Sequence, residues 1–236
     1  PARGAAGGGA GGGGPARGAA GGGAAGGGAR RLPQAGAFRG RCAAFARGDV
    51  EHVRGLVELF EACHCACHCR YWHFSGDKNA WLARTSLEPA VNRREFFDAV
   101  AARSDQARGL VAFDEGGELV GWLKLAPAAS LPKLYEQRFY RGLPALQGPR
   151  EGVLTVGCLL VHPAQRRRGV ARAMAAALPQ VARAEGARSV EAMPYVAEGE
   201  QSDELLWTGP YGALLEAGFK VVEGSFPYPI LRLDLG

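Results

Sequence analysis

Val153-Leu154-Thr155-Val156-Gly157-Cys158-Leu159-Leu160-Val161 has Thr155 as its only hydroxyl and runs almost directly into Arg166-Arg167-Arg168-Gly169-Val170-Ala171. An apolar run of strand length, without the alternation of a half-exposed strand, predicts a central strand covered on both faces. Next comes a helical pattern from Arg168 to Ala184, ended by Gly186 and bent at Pro179, where one backbone hydrogen bond is lost. A buried strand, a polar turn with a glycine and a helix gather unpaired N–H groups and the positive end of a helix dipole at one point. Anions bind at such points.

The remaining pattern from Ala37 onward alternates helix and strand, which predicts an α/β (α+β) fold with helices packed on a sheet. A strand is expected over Ala37 to Ala44, then a helix capped at Gly48-Asp49 with Val50, Val53, Leu56, Val57 and Phe60 on one face. A second helix fits Glu88 to Ala102, with Pro89 in its first turn. Leu110 to Asp114 and Glu118 to Leu125 flank Glu115-Gly116-Gly117 and read as a hairpin. A short helix near Lys133 to Phe139 and a strand over Ser189 to Met193 follow. The chain closes with a helix from Glu204 to Ala217, capped by Gly218, and strands at Phe219 to Glu223 and Tyr228 to Leu233.

The first 35 residues hold 15 of the 36 glycines and repeat the decapeptide Pro1 to Ala10 as Pro15 to Ala24. With almost no large apolar side chain to bury, residues 1–35 are expected to form a disordered Gly/Ala-rich tail, and residues 36–236 a single domain. The tail supplies 4 of the 28 cationic residues and no acidic ones, leaving 24 against 23 in the domain, so the net charge of +5 misleads. A nearly neutral domain excludes bulk attraction to nucleic acid, and no run reaches the roughly 20 apolar residues of a membrane span. With no signal-peptide core, the expected location is cytoplasmic.

The loop Arg166-x-x-Gly169-x-Ala171 after this strand resembles the Gln/Arg-x-x-Gly-x-Gly/Ala motif of the GNAT superfamily of acyl-CoA-dependent N-acyltransferases. A second element, Leu214-Leu215-Glu216-Ala217-Gly218-Phe219, is similar to the helix-then-Gly-Phe feature near the end of GNAT domains. Cys67-His68-Cys69-Arg70-Tyr71-Trp72, Gly76-Asp77-Lys78-Asn79, Gly121-Trp122 and Trp207-Thr208-Gly209 look like a bacterial subgroup of that family. The resemblance spans roughly residues 37–236. It implies one GNAT-like domain with a mixed, mostly antiparallel sheet flanked by helices, using acetyl-CoA as co-substrate and no metal.

It also implies direct attack of a neutral amine on the thioester within a ternary complex, which needs a fixed donor for the carbonyl oxygen and an acceptor for the amine proton. In this fold the fourth strand bulges and parts from the fifth; Gly157 marks the bulge. The resemblance thus assigns cofactor contact to Cys158, Leu159, Leu160 and Val161 of the strand and to Arg166, Arg167, Arg168, Gly169, Val170 and Ala171 of the loop. Glu151 and Glu191 lie where the family gathers proton-transfer groups, although both also suit ordinary rim carboxylates. The family's acidic Tyr, four residues before the Gly-Phe glycine, is here Leu214, and Tyr211 stands in as the candidate. Tyr71, Trp72 and Trp207 are candidates for the acceptor pocket, with core packing as the alternative for Trp72 and Trp81. The acceptor itself, expected to be a small molecule, and the oligomeric state, monomer or homodimer, are not implied.

Cys63, Cys65, Cys67 and Cys69 alternate with His64, Ala66 and His68. A metal or redox module is one reading, but the spacing is short for structural zinc, and neighbouring i, i+2 positions of a strand are poorly placed for a disulfide. The segment also follows a helix pattern and can continue it. Cys42 and Cys158 read as isolated buried thiols suited to a reducing compartment. Glu198, Glu200, Asp203 and Glu204 form an acidic stretch, either a solvated loop or an attractor for a cationic amine. A non-catalytic acyl-CoA sensor, favoured by Leu214, and nucleic-acid binding by the tail complete the alternatives.

Overall fold

The apolar run forms the predicted strand, Val153–Val161, with its predicted ends, in the middle of a seven-stranded sheet. The computed structural model describes residues 38–45, 52–196, 199, 202–224 and 226–236, and the backbone but not the side chain of residue 204. The expected tail, the Gly48-Asp49 cap, Val50, Glu198 and Glu200 lie outside these residues. The strands are β1 (Arg41–Phe45), β2 (Gly109–Phe113), β3 (Leu119–Pro127), β4 (Val153–Val161), β5 (Ser189–Ala192), β6 (Lys220–Glu223) and β7 (Ile230–Asp234). Their order is β1-β2-β3-β4-β5-β7-β6, and only β4 and β5 run parallel. The mixed, mostly antiparallel sheet is therefore present.

Among the described residues six helices flank it: α1 (Val53–Ala62), α2 (Lys78–Leu87), α3 (Pro89–Ala101), α4 (Pro132–Tyr135), α5 (Val170–Ala184) and α6 (Tyr211–Glu216). α5 lays Val170, Met174, Ala175, Leu178 and Ala182 against Leu123, Leu154, Val156 and Leu159 of the sheet, on the stripe that helical spacing predicts. Each Leu buried there contributes about 2 kcal/mol. On the opposite face α1 and α3 pack Leu56, Leu59, Phe60 and Phe96 around Trp122. Among the described residues no helix is long and apolar enough to cross a membrane.

Four expectations need correction. α2 was not foreseen: Asp77 caps it by accepting from the Ala80 N–H at 2.8 Å, but Trp81 is its only buried residue, so no apolar stripe announces it. The helix expected over Glu204 to Ala217 is two pieces, a 3-10 segment Asp203–Thr208 and α6. Gly209 turns the chain between them at φ +98°, and Pro210 has no N–H to continue a ladder. The cysteine segment after α1 neither continues the helix nor extends as a strand: His64, His68 and Cys69 take left-handed φ values of 49°, 42° and 54° and fold it into turns. Lastly, Cys158 is not an isolated thiol, because it is bonded to Cys69 as a disulfide with the Cα atoms 6.8 Å apart.

Candidate functional site: the parted strand and the arginine loop

β4 pairs with β5 only over Val153 to Thr155, opposite Ser189 to Glu191. Beyond Thr155 its edge toward β5 has no strand partner among the described residues, although the Val161 carbonyl accepts from Arg166 and Cys63 and that of Gly157 from Trp72. On the other edge the register with β3 shifts: Leu125 opposes Val156 and Leu123 opposes Leu159, so three steps on β4 match two on β3. The extra residue is a bulge at Gly157 and Cys158. Leu154, Val156 and Leu159 face the α5 side, and the break in alternation turns Cys158 the other way, toward Cys69 and Trp122. Gly157 is required by close approach, since a Cβ there would lie 2.9 Å from Lys124 Cδ.

Lys124, fully buried opposite the bulge, donates from Nζ to the Gln106 carbonyl at 2.5 Å. Burial first, and Arg70 second, pull its pKa from 10.5 to about 7, against the opposing influence of Cys67. Trp72 closes the bulge from the same side, its indole N–H donating to the Gly157 carbonyl at 2.9 Å. Trp207 stacks on Trp72 with ring centroids 5.7 Å apart, and Tyr71 meets Trp72 edge-on at 4.6 Å. The three aromatics singled out in the sequence are thus one cluster; Trp72 is buried, while Trp207 is 39% exposed.

At the far end of β4, Gly169 takes φ +84° as N-cap residue of α5, a conformation that suits glycine. The Ala173 N–H bonds back to the Gly169 carbonyl, so the N–H groups of Val170, Ala171 and Arg172 precede the first intrahelical bond, and no side chain caps them. Arg166 bends back to donate to the Val161 carbonyl at 3.3 Å. Arg167, itself left-handed at φ +60°, is held by Asp203 at 2.7 Å, and Arg166 approaches the same carboxylate at 3.8 Å. Of the acidic stretch, Asp203 is therefore a partner of the arginine loop. Arg168 is exposed and lines, with Gln165, Arg167 and the 114–116 turn, a cavity of about 490 Å³.

Glu191 is buried on β5 directly across from Thr155. Its Oε1 accepts from Arg232 Nη2 at 2.6 Å and Nε at 3.2 Å, and its Oε2 accepts from the Tyr135 hydroxyl at 2.6 Å. Tyr135 also lies 2.6 Å from the Thr155 hydroxyl, beneath the Arg150 guanidinium at 3.9 Å. Burial and then Glu191 raise the Tyr135 pKa, so its hydroxyl stays protonated. Tyr135, Arg150, Glu191 and Arg232, with Arg188 and Asp234, line a polar cavity of about 200 Å³. Thr155, Tyr135 and Arg232 escaped the sequence reading. Strand alternation could have put Thr155 on the face of Gly157, but nothing local links α4 or β7 to it.

Two candidates are not brought to the bulge. Glu151, exposed in the turn before β4, stands about 20 Å from Gly157 along an extended strand, on the side away from the loop. Its backbone carbonyl accepts from Arg188. Tyr211 begins α6, packs into the core on the α5 side and meets Phe226 edge-on at 6.3 Å. Leu214, at the position of the family's Tyr, is buried in that core.

The model of the acetyltransferase (GNAT) family matches residues 70–203, more than half of the 236-residue chain. The chain belongs to the GNAT acetyltransferase family. The match begins at Arg70, just after the cysteine segment, and runs to Asp203, so it takes in β4, its bulge, α5 and β5. Among solved structures, this GNAT chain is similar to the GNAT domain of S. lividans PAT, at 20% identity and TM-score 0.46, covering 83% of this chain and 90% of that one. It is also similar to an N-acetyltransferase from Staphylococcus aureus Mu50, at 15% identity and TM-score 0.43, covering 83% and 99%. A third similarity is to the PaiA N-acetyltransferase from Thermoplasma acidophilum in complex with coenzyme A, at 10% identity and TM-score 0.43, covering 82% and 99%. No curated protein matches the chain.

Proposed function

We propose that this GNAT chain transfers an acetyl group from acetyl-CoA to the primary amine of a small-molecule acceptor by direct attack in a ternary complex. The observation that carries the reading is the continuity of one binding edge. The side of β4 from Val156 to Val161, which has no strand partner among the described residues, leads toward the N–H groups of Val170 and Ala171 beside Gly169. A diphosphate at the start of α5 would meet backbone donors and the positive helix end, with Arg166, Arg167 and Arg168 adding charge. The pantetheine arm would follow the edge of β4, placing the thioester at the bulge, where backbone donors polarise its carbonyl.

The acceptor amine would enter past Trp207 and Trp72, which lie over the bulge. Both Glu191 oxygens already accept hydrogen bonds, from Tyr135 and Arg232, so the amine would reach the carboxylate through Tyr135. In the reading offered here the amine proton passes to the Tyr135 oxygen as the Tyr135 proton moves to Glu191, which keeps the relay in balance. Glu151 and Tyr211 have no role in it.

Gly169→Val tests the assignment. A β-branched side chain at φ +84° costs about 1–2 kcal/mol of stability and fills the diphosphate seat. Calorimetric titration should show acetyl-CoA binding by the wild type and none by a variant that still unfolds cooperatively; equal affinities refute the site. CoA release with a panel of primary amines tests turnover, and binding without release with any amine would favour a sensor.

A further inference from the structure

We infer that Cys65 and Cys67 form a redox-active dithiol, which a hydroperoxide converts to an intrachain disulfide, Cys67 reacting first and Cys65 resolving. The inference stands apart from acyl transfer. Its basis is the turn that follows α1, where the Cys65 N–H bonds to the Phe60 carbonyl at 2.9 Å and the Arg70 N–H to the Cys67 carbonyl at 2.8 Å. Folded this way, thiols two residues apart, which a strand would hold apart, come to an Sγ–Sγ distance of 3.6 Å. A disulfide needs about 2.05 Å, so the two sulfurs have to close by roughly 1.5 Å.

The surroundings distinguish the two sulfurs. Their mutual hydrogen bond, with burial, raises the Cys65 pKa, whereas the same bond lowers that of Cys67 against the effect of burial. The buried Lys124 ammonium also favours the Cys67 thiolate. A nucleophilic thiolate beside a retained thiol is the arrangement of a reactive dithiol, and neither residue is fully buried. The other cysteines differ. Burial pushes Cys42 up to about 11, Cys63 donates to the Val161 carbonyl at 3.5 Å, and Cys69 and Cys158 are already bonded. Among the described residues no group of three or more His, Cys, Asp or Glu could hold a metal ion, which favours oxidation over metal binding at the pair.

In the first step the Cys67 thiolate attacks one peroxide oxygen. The S–O bond forms, the O–O bond breaks, and the departing alkoxide or hydroxide takes a proton from water. In the second, the Cys65 sulfur attacks Cys67, the S–O bond breaks, and hydroxide leaves with the Cys65 proton as water. Two thiols lose two electrons, which reduce the peroxide to an alcohol, or for hydrogen peroxide to water.

The experiment treats the full chain with one equivalent of hydrogen peroxide. Two of the four free thiols should disappear, with a mass loss of about 2 Da and recovery by a small dithiol reductant. Differential alkylation with fragmentation of the peptide should place the bond at Cys65 and Cys67 in the wild type, so the result does not depend on variants folding. Cys65→Ser should stop at a sulfenic acid on Cys67 that dimedone traps, and Cys67→Ser should react at least about tenfold more slowly. Oxidation that maps to Cys42 or Cys63, or a Cys67→Ser rate equal to that of the wild type, would overturn the inference.

Discussion

The indole N–H of Trp72 donates to the carbonyl oxygen of Gly157 at 2.9 Å, in a buried contact that joins residues 85 positions apart. It ties the segment after the cysteines to the bulge of β4, so the geometry of the bulge depends on a side chain from outside the sheet. Trp72→Phe keeps a ring to stack on Trp207 and removes the donor together with the volume of the five-membered ring. Leaving the carbonyl unsatisfied should cost about 1–3 kcal/mol in denaturant unfolding. The drop in kcat/KM for acetyl transfer should exceed that of Trp81→Phe, whose ring is buried away from the bulge against Tyr71 and Phe74.

Asp203 holds Arg167 and draws Arg166, the side chains assigned to the diphosphate. Asp203→Asn should free both, tightening acetyl-CoA about threefold, in line with the energy of an exposed ion pair. Calorimetry at low and high salt would show it, with a steeper salt dependence in the variant; weaker binding would mean that Asp203 aims the arginines.

Glu191 and Arg232 form a pair in which the carboxylate side chain is 5% exposed and the guanidinium 28%. Glu191→Ala leaves that guanidinium partly buried without its partner and should destabilise the fold by about 3 kcal/mol. Tyr135→Phe should cost about 1 kcal/mol of stability yet lower kcat far more than KM, because the relay atom is lost and the pair remains. Equal falls in stability and no change in kcat would make the whole group structural.

Lys124 supplies a pH test. Its pKa falls from 10.5 to about 7 on folding, so between those values the unfolded chain holds a proton that the folded chain has released. Stability therefore rises with pH across that window, and the cost of the buried ammonium is fully felt below about pH 7. Lys124→Met removes the titration at similar length. Urea midpoints at about pH 6 and pH 10 should differ less in the variant, with its gain over the wild type larger at the lower pH. An unchanged difference would rule out this titration.

Much of the sheet and the loop was legible because the signals are local. The hairpin over Glu115-Gly116-Gly117, the ends of β4 and the glycine turn at Gly169 before α5 each follow from a few neighbouring residues whose spacing matches one backbone geometry. Glu191 could be named from its strand, but the three hydrogen bonds that change its chemistry come from Tyr135 and Arg232, 56 and 41 residues away. The cysteine segment misled because alternation suggested an extended chain, whereas left-handed turns at His64 and His68 decide which sulfurs meet.

The sequence alone therefore determined the central strand and the glycine turn that opens the following helix, since apolar runs and glycine conformations are written residue by residue, while the bulge followed from the family resemblance. Only the tertiary structure decided the partners: Cys69 with Cys158, Asp203 with Arg167, Trp72 with Gly157. Those pairings depend on which distant segments the packed core brings within the short range of a hydrogen bond or a covalent bond, and no local pattern encodes that distance.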